Sequence, residues 1–193
     1  MAVKLLITDF DGTLVNTFTA NYKAYKKALG EYGINLTREK YRECFGFRFD
    51  RFMDTMGIED EGVRKNIKDK KAECYPQFFK DLILNEPLMN FIKVFHHGGG
   101  MTAIASTARK INLMNVLSYF EVTDSFDLIL AGEEVCRGKP DPEIYLSAMQ
   151  RCGVTPAESL VFEDSPVGIE AAERAGINYI KITDSYWDNI ILL

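Results

Sequence analysis

Val3 to Thr13 reads "VKLLITDFDGT", and the architecture hangs on how these eleven residues are understood. Its first six residues are short, apolar and rich in β-formers, so they read as a buried strand. The strand runs straight into two carboxylates, Asp9 and Asp11, and Gly12 then breaks it. Two like charges at the mouth of a buried strand are costly unless something there uses them. A simple polar turn is the plain alternative, and what the other strand ends carry decides between the two.

Beyond this segment, Thr19 to Gly33 takes on a helical rhythm, with Tyr22, Tyr25, Ala28, Leu29 and Tyr32 on one face. Gly30 and Gly33 stop it. The chain stays helical in character to about Phe79, with Met53, Met56, Ile58, Val63 and Ile67 as inner faces and the basic run Arg64 to Lys71 as a solvated face. Pro87 opens a further helix carrying Leu88, Phe91, Ile92 and Phe95, which Gly98 to Gly100 end. His96 and His97 read as partners of that helix's C-terminal dipole. From there strands and helices alternate. Strands are expected at Met101–Ala105, Leu128–Ala131, Ser159–Phe162 and Tyr179–Ile182, and helices at Thr107–Leu117, Pro142–Arg151 and Val167–Ala175. This alternation predicts an α/β fold, a Rossmann-like parallel sheet with helices on both faces. Residues 1–15 and 82–193 form that core, and the all-helical block 16–81 is inserted into it.

Composition agrees with this reading. Of 193 residues, 47% are hydrophobic and 26% charged, which suits a globular core with an insertion. The net charge is −5 and no basic tract stands out, which argues against nucleic acid as a partner. No apolar run approaches the roughly 20 residues of a membrane span. The third residue already opens a strand that Asp9 ends early, so no signal peptide is expected and the cytoplasm is the expected compartment. Cys44, Cys74, Cys136 and Cys152 form no C-x-x-C pair and read as free buried thiols in a reducing compartment.

In a parallel α/β sheet, ligands sit outside the carboxyl ends of the strands. Those ends carry Asp9-Phe10-Asp11, Ser106-Thr107 and Glu163-Asp164-Ser165, and Arg137-Gly138-Lys139-Pro140 follows the third strand. Carboxylates gathered at one edge need a cation among them. Oxygen ligands with open positions favour Mg²⁺, bound through Asp9 and Asp164. Mg²⁺ also lets an anionic phosphate approach an anionic nucleophile, and an Asp carboxylate can attack phosphorus. Asp11 points to the same face as Asp9 in extended geometry and can protonate the leaving oxygen. Lys139 and Ser106 can hold the phosphoryl oxygens, Ser106 standing at an expected helix start.

The segments "DFDGTLVNT", "AIASTA", "GKPDPEIY" and "VFEDSPVGIEAAERAG" resemble, in order and spacing, the four motifs of the haloacid dehalogenase-like hydrolases. The resemblance is closest to the branch that holds phosphoglycolate phosphatase and β-phosphoglucomutase. It implies that Asp9 is the nucleophile and Asp11 the general acid/base. It implies phosphate binding by Ser106 and Lys139, with Thr107 beside them, and Mg²⁺ held by Asp9, the Asp11 carbonyl and Asp164, with Glu163 as a ligand or a supporting partner. The insertion would be a cap that closes over the site and restricts it to a small phosphorylated metabolite. Asn16 stands where many relatives have Asp and can cap the next helix equally well. Asn21 lies near the place where mutase relatives often carry a His. An amide cannot shuttle a proton, so a Mg²⁺-dependent phosphatase is the first expectation and a phosphomutase the alternative. Arg48, in "GFRFDR", is the cap's candidate substrate contact. A third reading, a receiver-like phosphorylation switch, shares the acidic cluster and lysine but not the D-x-D-G-T pattern or the large insertion.

Overall fold

The computed structural model describes residues 2–183 and Trp187. The chain opens on β1 (Leu5–Thr8), every residue of which is buried, and passes through the short β2 (Val15–Asn16). Four helices follow, α1 (Phe18–Gly30), α2 (Arg38–Cys44), α3 (Phe49–Thr55) and α4 (Glu61–Cys74), and then a 3-10 stretch over Tyr75–Asp81. The short β3 (Ile83–Leu84) leads into α5 (Glu86–His97), β4 (Met101–Ala105), α6 (Lys110–Tyr119) and β5 (Leu128–Leu130). The rest is α7 (Glu143–Cys152), β6 (Ser159–Glu163), α8 (Pro166–Arg174) and β7 (Asn178–Lys181). Two compact units result: Met1–Asn16 with Leu84–Leu193, and Thr17–Ile83.

In the first unit, five strands form a parallel sheet in the order β5-β4-β1-β6-β7. Placing β1 in the middle follows from its composition, since a strand buried on both faces must be apolar throughout. Ile7 lies opposite Ala103 on one side and Val161 on the other. One face of the sheet, with Leu5, Ile7, Ala103, Ala105 and Val161, packs against Ile144, Tyr145 and Ala148 of α7 and Ala171 and Ala172 of α8. The many alanines let these helices lie close to the sheet. The opposite face takes α5, where the Phe91 ring stands 5.9 Å from that of Phe162. Asn85 caps α5 by accepting from the Leu88 amide at 3.1 Å. This is the expected α/β core with helices on both faces.

The second unit is helical and has its own aromatic core. Tyr41 sits at its centre, with rings of Phe18, Tyr22, Tyr25, Phe45 and Phe52 within 6.0 Å. Thr37 and Asp60 cap α2 and α4 by accepting from the amides of Lys40 and Val63.

Several sequence expectations need correction. Helix α6 begins at Lys110, not Thr107, so Ser106 does not stand at a helix start. The intervening residues are held instead by tertiary contacts, the Gly132 amide donating to the Ala108 carbonyl at 2.9 Å. Tyr32, expected on the buried face of its helix, is 39% exposed and lies past the end of α1. Thr17, not Asn16, occupies the N-cap of α1. Lys71 is buried, not solvated, with its ammonium 3.8 Å from the centroid of the Tyr75 ring. All four cysteines are free, but Cys136 is exposed and Cys152 only half-buried. His96 ends α5 as expected and also meets Asp127 at 3.2 Å. Among the described residues, no helix is long and apolar enough to cross a membrane.

Candidate active site

The parallel register brings the site together. Thr8, the last residue of β1, lies opposite Ile104 and Phe162. One step further, the Asp9 amide donates to the Phe162 carbonyl at 2.9 Å. Asp9 thus emerges between the ends of β4 and β6, beside Glu163 and one residue short of Ser106 and Asp164. Oxygens of Asp9, Glu163 and Asp164 lie within 4.8 Å of one another. Asp11 is half-buried in the turn that follows, where the Gly12 amide donates to the Val15 carbonyl at 2.9 Å and the Val15 amide to the Phe10 carbonyl at 3.0 Å.

Lys139 enters from the segment before α7, across a cis Lys139–Pro140 bond. Its ammonium lies 2.6 Å from Asp9 Oδ1 and 2.8 Å from Glu163 Oε2, with all three side chains buried. Such charge-assisted bonds between buried side chains are strong and strongly oriented. Glu163 is held from every side. Its Oε2 also accepts from the Tyr145 hydroxyl at 2.8 Å, and its Oε1 accepts from the Ser165 amide at 3.1 Å and the Ser165 hydroxyl at 2.7 Å. The Ser165 hydroxyl in turn accepts from the Gly168 amide at 3.0 Å and so caps α8. Asp164 accepts from the Thr13 hydroxyl at 2.8 Å.

The electrostatics follow from these neighbours. Burial, with the like charges of Glu163 and Asp164, pushes the Asp9 carboxyl well above the ordinary range despite the pull of Lys139. Burial and then Glu163 raise Asp164 to about 6. Glu163 is equally buried, but Lys139 and the hydrogen bonds from Ser165 and Tyr145 outweigh that burial and hold its carboxyl below the ordinary value. Burial opposes the charge on Lys139, yet Asp9 and Glu163 push its ammonium well above the ordinary lysine range. One cation therefore faces three acids, and repulsion is left over at Asp9 and Asp164. A hard divalent cation suits this set: oxygen donors only, close together, and destabilised by their own charge.

Of the other expected residues, Ser106 is buried at the end of β4, its amide donating to the Leu130 carbonyl at 3.0 Å and its hydroxyl accepting from the Ala108 amide at 3.0 Å. Thr107 follows it, and its carbonyl lies against Gly132, where any Cβ would collide with it. Asn21 is buried in α1 and Arg48 stands at the N-cap of α3, both in the helical unit. The sequence reading missed several contributors. Gly12 has φ +98°, and a Cβ there would overlap the Asp164 carboxylate. Thr13 and Tyr145 lie inside the quoted motifs, but only the fold shows what they touch. The indole of Trp187 donates to the Gly12 carbonyl at 2.7 Å, a contact no local pattern signals.

Comparison with known proteins gives the same answer from a different direction. The family model described as haloacid dehalogenase-like hydrolase matches residues 6–182. A phosphorylated carbohydrates phosphatase from Thermotoga maritima is 29% identical over 184 residues, covering 92% of this chain and 84% of that protein. The fructose-1-phosphate phosphatase YqaB from Escherichia coli is 28% identical, covering 92% of this chain and 95% of its own. The crystal structure of CbbY from Rhodobacter sphaeroides in complex with phosphate superposes with a TM-score of 0.84 at 25% identity, covering 94% of this chain and 86% of that one. With an acid-tipped central strand, a lysine reaching back to it and a family match along nearly its full length, this chain belongs to the haloacid dehalogenase-like hydrolases.

Proposed function

We propose that the chain is a Mg²⁺-dependent phosphoric monoester hydrolase that releases phosphate from a small phosphorylated carbohydrate through an aspartyl-phosphate on Asp9. The observation that carries this reading is Lys139 clamped between Asp9 and Glu163, with Asp164 beside them. The phosphatases named above support the phosphoryl chemistry and the carbohydrate class of substrate.

In this reading a carboxylate oxygen of Asp9 forms a bond to phosphorus while the bond from phosphorus to the sugar oxygen breaks, and Asp11 gives that oxygen its proton. Asp11 then takes a proton from water, which attacks phosphorus and releases inorganic phosphate, restoring Asp9. Lys139, Ser106 and the neighbouring Thr107 bind the phosphoryl oxygens, and the ammonium offsets the charge that builds there. Asp9, Asp164 and the Asp11 carbonyl would hold Mg²⁺, which when bound supplies positive charge against the phosphoryl group. Both oxygens of Glu163 are engaged by protein donors, which favours a supporting role for it over direct ligation. The insertion serves as the cap, with Asn21 and Arg48 as its candidate substrate contacts. A phosphomutase would share the first half of this scheme and pass the phosphoryl group to a sugar hydroxyl, and Asn21 in place of a proton-shuttling His favours water as the acceptor.

The test is phosphate release from a panel of phosphorylated sugars with Mg²⁺ present, run beside a coupled assay for isomerised sugar phosphate. Phosphate release that vanishes in Asp9→Asn supports the proposal. No release across the panel overturns it, and isomerisation without release moves the assignment to the mutase.

A further inference from the structure

Tyr145 is fully buried in α7, one of the largest side chains in the core, and it touches both members of an ion pair. Its hydroxyl donates to Glu163 Oε2 at 2.8 Å, while the ammonium of Lys139 lies 5.0 Å from its ring centroid. An aromatic side chain in this place needs only a filled volume to satisfy the packing, as the apolar neighbours Ile144, Ala148 and Met149 show. The hydroxyl is a separate feature, aimed at a carboxylate that already faces a lysine 2.8 Å away.

That carboxylate has four donors around it: Lys139 and Tyr145 on one oxygen, the amide and hydroxyl of Ser165 on the other. A carboxylate saturated in this way cannot rotate or draw closer to any one donor without losing another. An ammonium has three N–H bonds. Here Asp9 and Glu163 take two directions, so the position of Glu163 sets where the third points. We propose that Tyr145 is a positioning residue: by sharing Glu163 Oε2 with Lys139, it keeps the lysine from collapsing onto Glu163 and holds its ammonium at Asp9, where the phosphoryl oxygens arrive. The inference rests on the phosphatase reading, because it concerns the orientation of the cation that meets the phosphoryl group. If the hydroxyl serves only to satisfy itself in the core, its loss lowers stability and leaves turnover alone.

Tyr145→Phe keeps the ring and removes the one bond. The assay is steady-state hydrolysis of p-nitrophenyl phosphate at saturating Mg²⁺, with thermal melting and calorimetric titration of Mg²⁺ alone on the same samples. The expected signature is a kcat lower by about tenfold with KM changed by less than about threefold, because the misaligned charge is felt most in the transition state. Mg²⁺ affinity stays within about twofold of wild type, since the hydroxyl acts on Lys139 and not on Asp164. In a Glu163→Gln background the same substitution adds less than about a further twofold, because its route runs through that carboxylate. A Tyr145→Phe chain that melts lower but keeps kcat within about twofold of wild type overturns the inference, as do two substitutions whose effects multiply. A wild-type chain that hydrolyses no phosphate ester overturns the phosphatase reading and this inference with it, whereas an active wild type with an unchanged variant overturns the inference alone.

Discussion

Removing the charge of Lys139 while keeping its length, as in Lys139→Met, tests the heart of the site. The ammonium lies 2.6 Å from Asp9 and 2.8 Å from Glu163, and the three side chains are 3%, 9% and 1% exposed. Breaking a buried ion pair by deleting one partner costs about 3–5 kcal/mol, because the surviving charge has no compensation. One cation serves two acids here, so the cost falls at the upper end unless an acid takes up a proton. Proton uptake gives the loss its pH dependence. Without Lys139 the folded-state value of Asp9, already raised, climbs further and Glu163 loses the partner that holds it down, so the native variant binds more protons than native wild type and loses more stability as pH rises. Urea unfolding between about pH 5 and 8 should therefore show the gap to wild type widening with pH. Turnover should fall by roughly 10²–10³, the scale of losing one preorganised charge partner. A variant within about 1 kcal/mol of wild type across that range, with kcat within about threefold, refutes the reasoning.

Further predictions concern other parts of the first unit. Gly132→Ala places a methyl against the Thr107 carbonyl and should shift the Ser106–Thr107 loop, raising the inhibition constant of inorganic phosphate roughly tenfold or more, as competition kinetics would show. Mg²⁺ should raise the melting temperature by mass action, and Asp164→Asn should abolish most of that shift. Because Asp164 titrates near 6, protons compete with the cation, and the Mg²⁺-induced shift should shrink as pH falls through about 6. The Lys4 ammonium at 2.7 Å, with the Thr155 amide and hydroxyl, holds Glu158 down to about 2. A lowered carboxyl stabilises above its unfolded value and loses that contribution as pH falls toward its folded value. The urea midpoints of wild type and Glu158→Gln should therefore differ at neutral pH and converge as pH drops from about 5 to 2.

Local pattern carried most of the core. Met101–Ala105 is a strand over the expected residues, and the other core strands fall within a residue or two of expectation; for β1, β4 and β6 the reason is that a run buried on both faces is largely apolar, whereas the edge strand β7 is exposed and was legible from its β-forming residues alone. The gathering of acids and lysine was legible because parallel strands must end together. Tertiary contacts decided the rest. Helix α6 starts three residues late because Ala108 is tied to Gly132, and the Lys110 amide donates to Glu133 at 2.9 Å, a side chain from beyond the next strand. Lys71 reads as solvated within its basic run, yet Tyr25 and Tyr75 supply ring faces that let it turn inward. β2 and β3 hold two residues each, too short for any periodicity to register. Tyr145 sits within a quoted motif, but its partner Glu163 is eighteen positions away and only the fold joins them.

The ribbon formed by β2 and β3 has an evolutionary consequence. The chain leaves the sheet-bearing unit through one of these strands and returns through the other, and the return is pinned where the Asn85 amide donates to the Leu14 carbonyl at 2.8 Å and its side chain to the Thr13 carbonyl at 3.0 Å. An insert whose two ends are already neighbours adds little loop-closure entropy, whatever its length. Evolution or a protein engineer can therefore shorten, replace or transplant the helical cassette as a module while the sheet-bearing unit that carries Asp9, Lys139 and Glu163 keeps its own connections.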